Sequence, residues 1–298
     1  MTTTMTPESL SAILASYKQQ IEKAIEQKTA TFGSETVLKQ ACEYALLNGG
    51  KRFRPALVLM IAESLDRKHD VMASALAVEF FHTASLIADD LPCMDDDDMR
   101  RDRPSVHKVY GEATALLASY ALIASGYEQL ALNARGLKES DSSLKADSIC
   151  LLALENATYN TGLCGATGGQ YEDIYPADLT LSTLREILHK KTVSLFEISF
   201  VFGWLFGGGS CEKLPKVKQA ASHFGMAFQI ADDLGDMAQD LKNGRKVNMA
   251  LVAGPEAALE MFYKEIEAFE HLLLDLAIDS DPLKQLTAFL RNCSKSKL

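Results

Sequence analysis

The sequence has few basic residues for its length. Its 30 lysines and arginines stand against 40 aspartates and glutamates, which gives a formal net charge of −10. Proteins that bind the phosphate backbone of nucleic acids need a basic surface, so this charge argues against a nucleic-acid partner. An acidic protein can still bind an anionic substrate when metal ions lie between the two sets of negative charge.

The cysteines lack the local spacing of a zinc site. None of the six forms a C-x-x-C pair, so we interpret them as small buried or partly exposed thiols. The polar segment Met1–Pro7 has no apolar signal-peptide core. Together these features predict a reducing compartment and a cytoplasmic location.

No apolar run is long enough to span a bilayer. The most apolar stretch, residues 195–209, is interrupted by Glu197 and ends in three glycines. It is shorter than the roughly 20 residues that a transmembrane helix needs. We therefore predict a buried helix here and no stable membrane anchor.

Convincing strand alternation is also missing, and no fixed repeat or long linker divides the chain. Helix caps, first-turn prolines and terminal glycines instead separate stretches of helical period. The pattern predicts one all-α domain over residues 1–298, with its core at about 30–295. The predicted helices are 7–28, 34–49, one starting near 55, 70–89, 110–136, 142–163, 180–206, 213–239, 255–277 and 282–292. The predicted mobile loops are Arg135–Asp147 and Lys242–Arg245.

Two acidic clusters each follow an apolar stretch, one from Asp89 to Asp98 and one from Asp232 to Asp240. Carboxylates at the end of a buried helix cost free energy unless cations neutralise them. Oxygen ligands favour Mg²⁺ or Mn²⁺ over zinc, and Mg²⁺ combines a few carboxylates with substrate phosphates. The clusters therefore predict a diphosphate substrate bridged by metal ions.

The two clusters differ in spacing. Asp232 and Asp236 are four residues apart and share one helical face, where a divalent cation turns their repulsion into chelation. In the first cluster, Asp95 is six residues after Asp89, and the two side chains would point about 120° apart on an ideal helix. A distortion at the proline between them can return Asp95 to the same face. Alternatively Asp96, seven positions along, takes that place.

Taken together, the motifs resemble the short-chain trans-prenyltransferases of isoprenoid biosynthesis, the farnesyl and geranylgeranyl diphosphate synthases. The resemblance rests on GGKRFRP, DDLPCMDDDDMRR, GGQYED, HKKT and DDLGD, in family order from about residue 43 to 250. It implies an isoprenoid-synthase helical bundle with a central cavity, usually a homodimer. The implied reaction is head-to-tail condensation of isopentenyl diphosphate with an allylic diphosphate. About three Mg²⁺ ions per site, with Mn²⁺ able to substitute, would stabilise the leaving diphosphate.

The resemblance also implies roles for residues at matching positions. The implied metal ligands are Asp89, Asp90, Asp95, Asp173, Asp232, Asp233 and Asp236. The implied isopentenyl diphosphate site is Lys51, Arg54, His82 and Arg101. The implied allylic diphosphate site is Arg100, Lys191, Thr192, Gln229 and Lys246. Arg245 could replace Lys246, and Gln170 accompanies Asp173. Because the family uses the released diphosphate as the base, the implied catalytic set contains no protein base: Asp89, Asp95, Asp232, Asp236, Lys191, Thr192 and Gln229.

The resemblance also bears on product length. In the family, bulky side chains four and five residues before the first aspartate stop chain growth. Here these positions are Ser85 and Ala84, both small. They favour a twenty-carbon product over a fifteen-carbon one, although Phe80 and Phe81 could still set a limit. The predicted enzyme is thus a geranylgeranyl diphosphate synthase, with a farnesyl diphosphate synthase as the alternative.

Two other protein classes are alternatives to a catalytic synthase. Noncatalytic partner subunits usually lose acids from one cluster, and this chain has lost none. Terpene cyclases lack GGKRFRP and the paired arginines.

The departures from the family pattern are Ala88, Gly235 and Ser119-Tyr120. None of them removes a metal ligand, so activity is expected.

Overall fold

A computed structural model describes residues 9–65, 69–141, 145–243 and 247–295. Within these ranges the regular secondary structure is almost entirely helical, which confirms the all-α prediction. The helices are α1 (Leu10–Thr29), α2 (Val37–Leu47), α3 (Phe53–Glu63), α4 (Met72–Asp89), α5 (Val106–Tyr110), α6 (Glu112–Ser140), α7 (Ala146–Thr161), α8 (Ala166–Ile174), α9 (Leu181–Leu188), α10 (Ser194–Phe206), α11 (Leu214–Asn243), α12 (Met249–Ala253), α13 (Pro255–Leu276) and α14 (Asp281–Lys295). A π-helical segment (His189–Val193) joins α9 to α10, and a 3₁₀ turn (Cys211–Lys213) precedes α11.

Helix α10 is the centre of the core. Every one of its residues except Glu197 is buried, and α3, α4, α7 and α11 pack around it. The Glu197 carboxylate accepts hydrogen bonds from Asn156 (2.7 Å) and Asn160 (3.0 Å) of α7, so its charge does not lie unpaired against the core. The prediction of a buried helix is confirmed. Among the described residues, no helix has the length and apolar character that crossing a membrane requires.

Two helices carry the acidic clusters to one place. Helix α4 packs along α6, and α11 packs along α13. The end of α4 and the middle of α11 both border one cavity. Between α4 and α5, a hairpin of two short strands, β1 (Met99–Arg100) and β2 (Arg103–Pro104), pairs Arg100 with Arg103. The sequence pattern predicted no strand, and these two strands are too short to show alternation.

Two predictions of where a helix ends were wrong. Helix α6 continues through the predicted loop to Ser140, because Ala134 and Leu137 keep the buried face at helical spacing. Helix α11 likewise extends to Asn243. The predicted helix over residues 180–206 is confirmed, since helical structure runs from Leu181 to Phe206 with one π-helical segment inside it. Helix α8 was not predicted, since its two glycines read as breakers. Residues 142–144 and 244–246 lie outside the described residues.

Candidate active site

The chain reverses directly after α4 and brings two acids of the first cluster together. Pro92 lies in this turn, where the amide of Asp95 donates a hydrogen bond to the carbonyl oxygen of Asp89 (2.9 Å). Both carboxylates line the same cavity. Asp96 has a φ of 52° and is not among the cavity-lining residues. Of the two alternatives that the sequence left open, the structure therefore places Asp95, rather than Asp96, beside Asp89.

The other acids of this run lie in two different surroundings. Asp97 lines the cavity with Asp95, whereas Asp96, Asp98 and the buried His107 have potential ligand atoms within 4.8 Å of one another. Lys108 pairs with Asp98 at 2.5 Å, so part of that negative charge is already neutralised. Alternate acids of this run therefore lie in two places, Asp95 and Asp97 at the cavity and Asp96 and Asp98 near His107.

The second cluster lies along one face of α11. Asp232 and Asp236 line the cavity at the predicted four-residue spacing, and Asp240 continues the row one turn later. The buried Asp233 accepts hydrogen bonds from Gln229 (2.8 Å) and from the backbone amide of Met249 (2.7 Å). The bond from Met249 holds this part of α11 against the start of α12.

The cavity between the two clusters has a volume of about 650 Å³. Ten of the residues singled out from the sequence line it: Asp89, Asp95, Arg100, Asp173, Lys191, Thr192, Gln229, Asp232, Asp233 and Asp236. Its apolar walls include Leu86, Met94, Ile174 and Leu188. The cavity therefore combines a polar, mostly acidic part with apolar surface, as an amphipathic ligand requires.

The π-helical segment presents Lys191 and Thr192 to this cavity. Such segments occur frequently at functional sites. Lys191 forms an ion pair with Asp173 of α8. Helix α8 can approach so closely because residue 169 is glycine: a Cβ there would lie 2.3 Å from the backbone nitrogen of Lys191.

Burial and crowding change the acidity of the cluster. Burial raises the pKa of Asp89 to about 6, and the charges of Asp95 and Asp90 add to this rise while Lys191 opposes it. Burial also raises the pKa of Asp233 to about 6. The carboxylates thus hold negative charge at a free-energy cost that a bound cation would remove.

The predicted isopentenyl diphosphate residues form a separate basic group beside the cavity. Arg54 lies over the ring of Phe196, with its Cζ 4.7 Å from the ring centroid, and its Nη1 is 3.4 Å from Nε2 of His82. Burial lowers the pKa of Arg54 to about 10, and burial together with Arg54 and Arg101 lowers the pKa of His82 well below its usual value. His82 is therefore neutral at pH 7. Lys51, three residues before Arg54 in the chain, is exposed.

Arg101 connects this basic group to the hairpin. Its guanidinium donates a hydrogen bond to the carbonyl of Gly49 and lies against Gly50. Gly50 has a φ of 120°, and a Cβ there would lie 2.5 Å from Cζ of Arg101. Asn48 donates a hydrogen bond to the carbonyl of Arg100 (3.1 Å), so the α2–α3 turn and the hairpin are held together.

The remaining predicted residues lie in different surroundings. Asp90 is buried, accepts a hydrogen bond from Arg100 Nε (2.9 Å) and is not among the cavity-lining residues. Ala84 is buried and Ser85 partly exposed on α4. Both side-chain amide atoms of Gln170 are buried, and neither has a hydrogen-bond partner among the described residues. Lys246 and its alternative Arg245 lie outside the described residues.

Asn248 has a structural role in the site that no sequence pattern predicted. It is fully buried, and its amide donates to the carbonyl of Asp233 (3.0 Å) and to the carboxylate of Asp240 (2.9 Å). It also caps α12, accepting from the amide of Leu251. No local pattern marks this asparagine, because its partners lie 8 and 15 residues earlier in the chain.

A helical bundle in which two aspartate clusters border one cavity is the architecture of the isoprenoid synthase class. The fold neighbours agree with this: the geranyltransferase of Legionella pneumophila superposes with a TM-score of 0.82 at 28% identity, covering 96% of this chain and 98% of that one.

The sequence profile of the polyprenyl synthetase family matches residues 35–250, more than half of the chain, and the chain belongs to this family of trans-prenyltransferases. Geranylgeranyl pyrophosphate synthase 4 of Arabidopsis thaliana is 37% identical over 275 residues, covering 86% of this chain and 70% of the relative. The chloroplastic geranylgeranyl pyrophosphate synthase of Capsicum annuum is 39% identical over 207 residues, covering 68% of this chain. The matched part is 54% of that relative.

Proposed function

We propose that this chain condenses isopentenyl diphosphate head-to-tail with allylic diphosphates and releases geranylgeranyl diphosphate. The observation that carries the proposal is the meeting of two carboxylate pairs at one cavity, Asp89 with Asp95 and Asp232 with Asp236. Lys191 borders the same space. This arrangement suits a diphosphate group that is held by cations on two sides.

The donor set fits Mg²⁺, since every cluster ligand is a carboxylate oxygen and burial has raised the pKa of Asp89. Asp89, Asp95, Asp232 and Asp236 would hold the ions, with Asp90, Asp173 and Asp233 supporting them. When bound, Mg²⁺ supplies the charge neutralisation that a departing diphosphate needs.

The basic residues then divide between two substrates. Arg100 and Lys191, with Lys246 or Arg245, bind the allylic diphosphate, and Thr192 and Gln229 stabilise the allylic cation. Lys51, Arg54, His82 and Arg101 bind the isopentenyl diphosphate. The neighbouring guanidinium groups of Arg54 and Arg101 repel each other, and a bound dianion would remove this repulsion.

The bond changes balance without a protein base. The allylic carbon–oxygen bond breaks and leaves its electron pair on the diphosphate. The double bond of the isopentenyl group supplies the electron pair for the new carbon–carbon bond. A proton is then lost to the released diphosphate, which restores a double bond.

Incubation with Mg²⁺, isopentenyl diphosphate and dimethylallyl, geranyl or farnesyl diphosphate tests this function. We expect elongation to a twenty-carbon product. If isopentenyl diphosphate gives no elongated product with any of these allylic diphosphates, the proposal is refuted. A noncatalytic partner subunit is then the better interpretation. A terpene cyclase would consume an allylic diphosphate without isopentenyl diphosphate, and an endpoint at fifteen carbons would assign the chain to farnesyl diphosphate synthesis.

The product length is expected to respond to Ser85. A Ser85→Phe variant places a ring four residues before Asp89, so elongation should stop mainly at fifteen carbons. The Ser85→Ala variant, which keeps the position small, should still give the twenty-carbon product. Chromatography of the dephosphorylated products measures both, and a twenty-carbon product from the phenylalanine variant would contradict this assignment.

Mg²⁺ affinity is expected to depend on pH through Asp89. Because its folded-state pKa is about 6, protons compete with the metal below pH 6. The apparent affinity should fall by about tenfold per pH unit between pH 6 and 5, as measured by titration calorimetry. The metal-free protein should gain stability from this group as pH falls from 6 towards 4, since the folded state binds the proton more tightly. An affinity that stays constant from pH 7 to 5 would contradict this.

We further propose that the chain forms a homodimer through α6 and α7. These helices expose a group of large apolar side chains: Leu116, Leu117, Tyr120, Leu151 and Leu154. A dimer contact along these two helices would remove these side chains from water. Light scattering during gel filtration should give about twice the 32.6 kDa chain mass, and a monomer at micromolar concentration would refute the dimer. The cytoplasmic location remains a prediction.

A further inference from the structure

The turn between α2 and α3 contains an arginine in an unusual backbone conformation. Arg52 has φ 51° and ψ 32°, the left-handed region, where a residue with a Cβ needs surrounding structure to hold it. Its neighbour Lys51 is exposed, and Arg54 opens the first turn of α3. The conformation of Arg52 therefore sets the directions in which these two basic side chains leave the turn.

Arg52 is held by a buried ion pair. Its Nη1 donates to the carboxylate of Glu79 on α4, and its Nη2 donates to the carbonyl of Leu46 at the end of α2. The side chains of Arg52 and Glu79 are each only 1% exposed. One guanidinium thus ties the turn to two helices at once, which the planar fork of arginine permits and a lysine does not.

The ion pair has a second attachment one helical turn away. Glu79 and His82 are three residues apart on α4 and share one face, and they meet Arg52 and Arg54 respectively. The contacts Arg52–Glu79 and Arg54–His82 follow the same order along the turn and along α4. Together they fix the position of the turn along α4 and its rotation. Well-packed apolar residues in place of Arg52 and Glu79 would maintain the stability of the fold. What the ion pair adds is a fixed geometry of the α2–α3 turn.

Glu79 also affects the pKa values of the neighbouring arginines. Burial lowers the pKa values of Arg54 and Arg101, and the negative charge of Glu79 is the strongest effect that opposes this lowering. One buried acid therefore serves three guanidinium groups, those of Arg52, Arg54 and Arg101. The remaining positive charge is available to an anion.

We propose that Arg52 and Glu79 are positioning residues that fix the α2–α3 turn so that Lys51 and Arg54 bind the diphosphate of the second substrate. This inference rests on the proposed function, in which that substrate is isopentenyl diphosphate. Neither residue contacts the substrate in this proposal; both act through Lys51 and Arg54.

The test compares four variants of the full chain by steady-state kinetics. Arg52→Lys keeps the charge but loses the fork, and Glu79→Gln keeps the shape but loses the charge. The double variant Arg52→Met with Glu79→Leu restores apolar packing without the pair. Glu265→Gln is the matched control, since it removes another buried acid, which pairs with Arg185 and His223 far along the sequence.

For the two single variants and the double variant we expect KM for isopentenyl diphosphate to rise about 10- to 100-fold. We expect KM for the allylic diphosphate and kcat to change less than about threefold. The double variant should regain thermal stability without regaining the isopentenyl KM. Glu265→Gln should lose stability while both KM values stay near those of the unsubstituted protein.

Amide hydrogen exchange supplies a readout that does not need activity. In the substrate-free protein, Arg52→Lys and Glu79→Gln should exchange faster at residues 48–54, and Glu265→Gln should not. An unchanged isopentenyl KM, an equal rise in both KM values, or unchanged exchange at the turn would overturn the inference. An inactive unsubstituted protein would instead refute the proposed function, and the exchange result would still decide whether the pair fixes the turn.

Discussion

Replacing Asp236 with asparagine is expected to lower kcat by about a thousandfold or more. The change removes one negative charge from the row that borders the cavity and leaves the side-chain volume almost unchanged. An amide oxygen is a weaker Mg²⁺ ligand than a carboxylate, so the charge at the departing diphosphate would be compensated less well. Asp89→Asn should have an effect of similar size, because Asp89 borders the same cavity from the other side.

Stability measurements distinguish this loss from unfolding. Asp236 lies one turn from Asp232 on α11, and like charges at this spacing repel. Without metal, the Asp236→Asn protein should therefore melt at the same temperature as the unsubstituted protein or slightly higher. At binding sites, removing a functional charge often raises the stability of the protein while it reduces activity.

The matched control is Asp275→Asn, the same chemical change on the exposed face of α13, where the carboxylate pairs with Lys216 at 2.7 Å. An exposed ion pair contributes at most about 1 kcal/mol, so kcat should remain normal. Single-turnover rates at saturating Mg²⁺ measure the comparison. A near-normal rate for Asp236→Asn would show that this carboxylate holds no catalytic metal.

Substituting Gly169 with alanine is expected to have the second-largest effect. The added methyl group would lie 2.3 Å from the backbone nitrogen of Lys191 and 2.7 Å from the backbone carbon of Lys190. Backbone atoms cannot rotate away as a flexible side chain can, so α8 and the π-helical segment must separate. This overpacking should cost about 1–3 kcal/mol of stability.

The separation should reduce activity more than stability. Lys191 and Asp173 pair across the contact that Gly169 makes possible, and both border the cavity. A displacement of about 1 Å in such groups can reduce kcat about a hundredfold. We expect that loss for Gly169→Ala in protein that remains folded by circular dichroism.

Gly136→Ala is the control for the alanine substitution itself. Gly136 lies inside α6, and a Cβ there meets nothing within 4 Å. This variant should be more stable by about 0.5–1 kcal/mol, because alanine is the better helix former, with unchanged kcat. Equal activity of the two glycine variants would show that the close contact of α8 with Lys191 has no catalytic importance.

The fold class and much of the site could be predicted because they rest on local patterns. The spacing of Asp232 and Asp236 places both on one helix face whatever surrounds them, and the structure has both at the cavity. The apolar composition of α10 predicted a buried helix, and α10 is the core helix. Helix α8 was missed because its glycines are weak helix formers. The contact with the π-helical segment explains Gly169, and the contact with the backbone of Leu163 explains Gly168.

The sequence by itself determined that the chain is helical, that its acids occur in two clusters after apolar helices, and that it belongs with the prenyltransferases. These properties depend on residue type and on spacing within one or two turns. Tertiary structure alone decided that Asp95 rather than Asp96 lies beside Asp89, that Asp90 is buried against Arg100, and that Arg52 is tied to Glu79. Each of these outcomes depends on a turn or a contact between residues far apart in the chain, where the packing of whole helices rather than local spacing sets the distance.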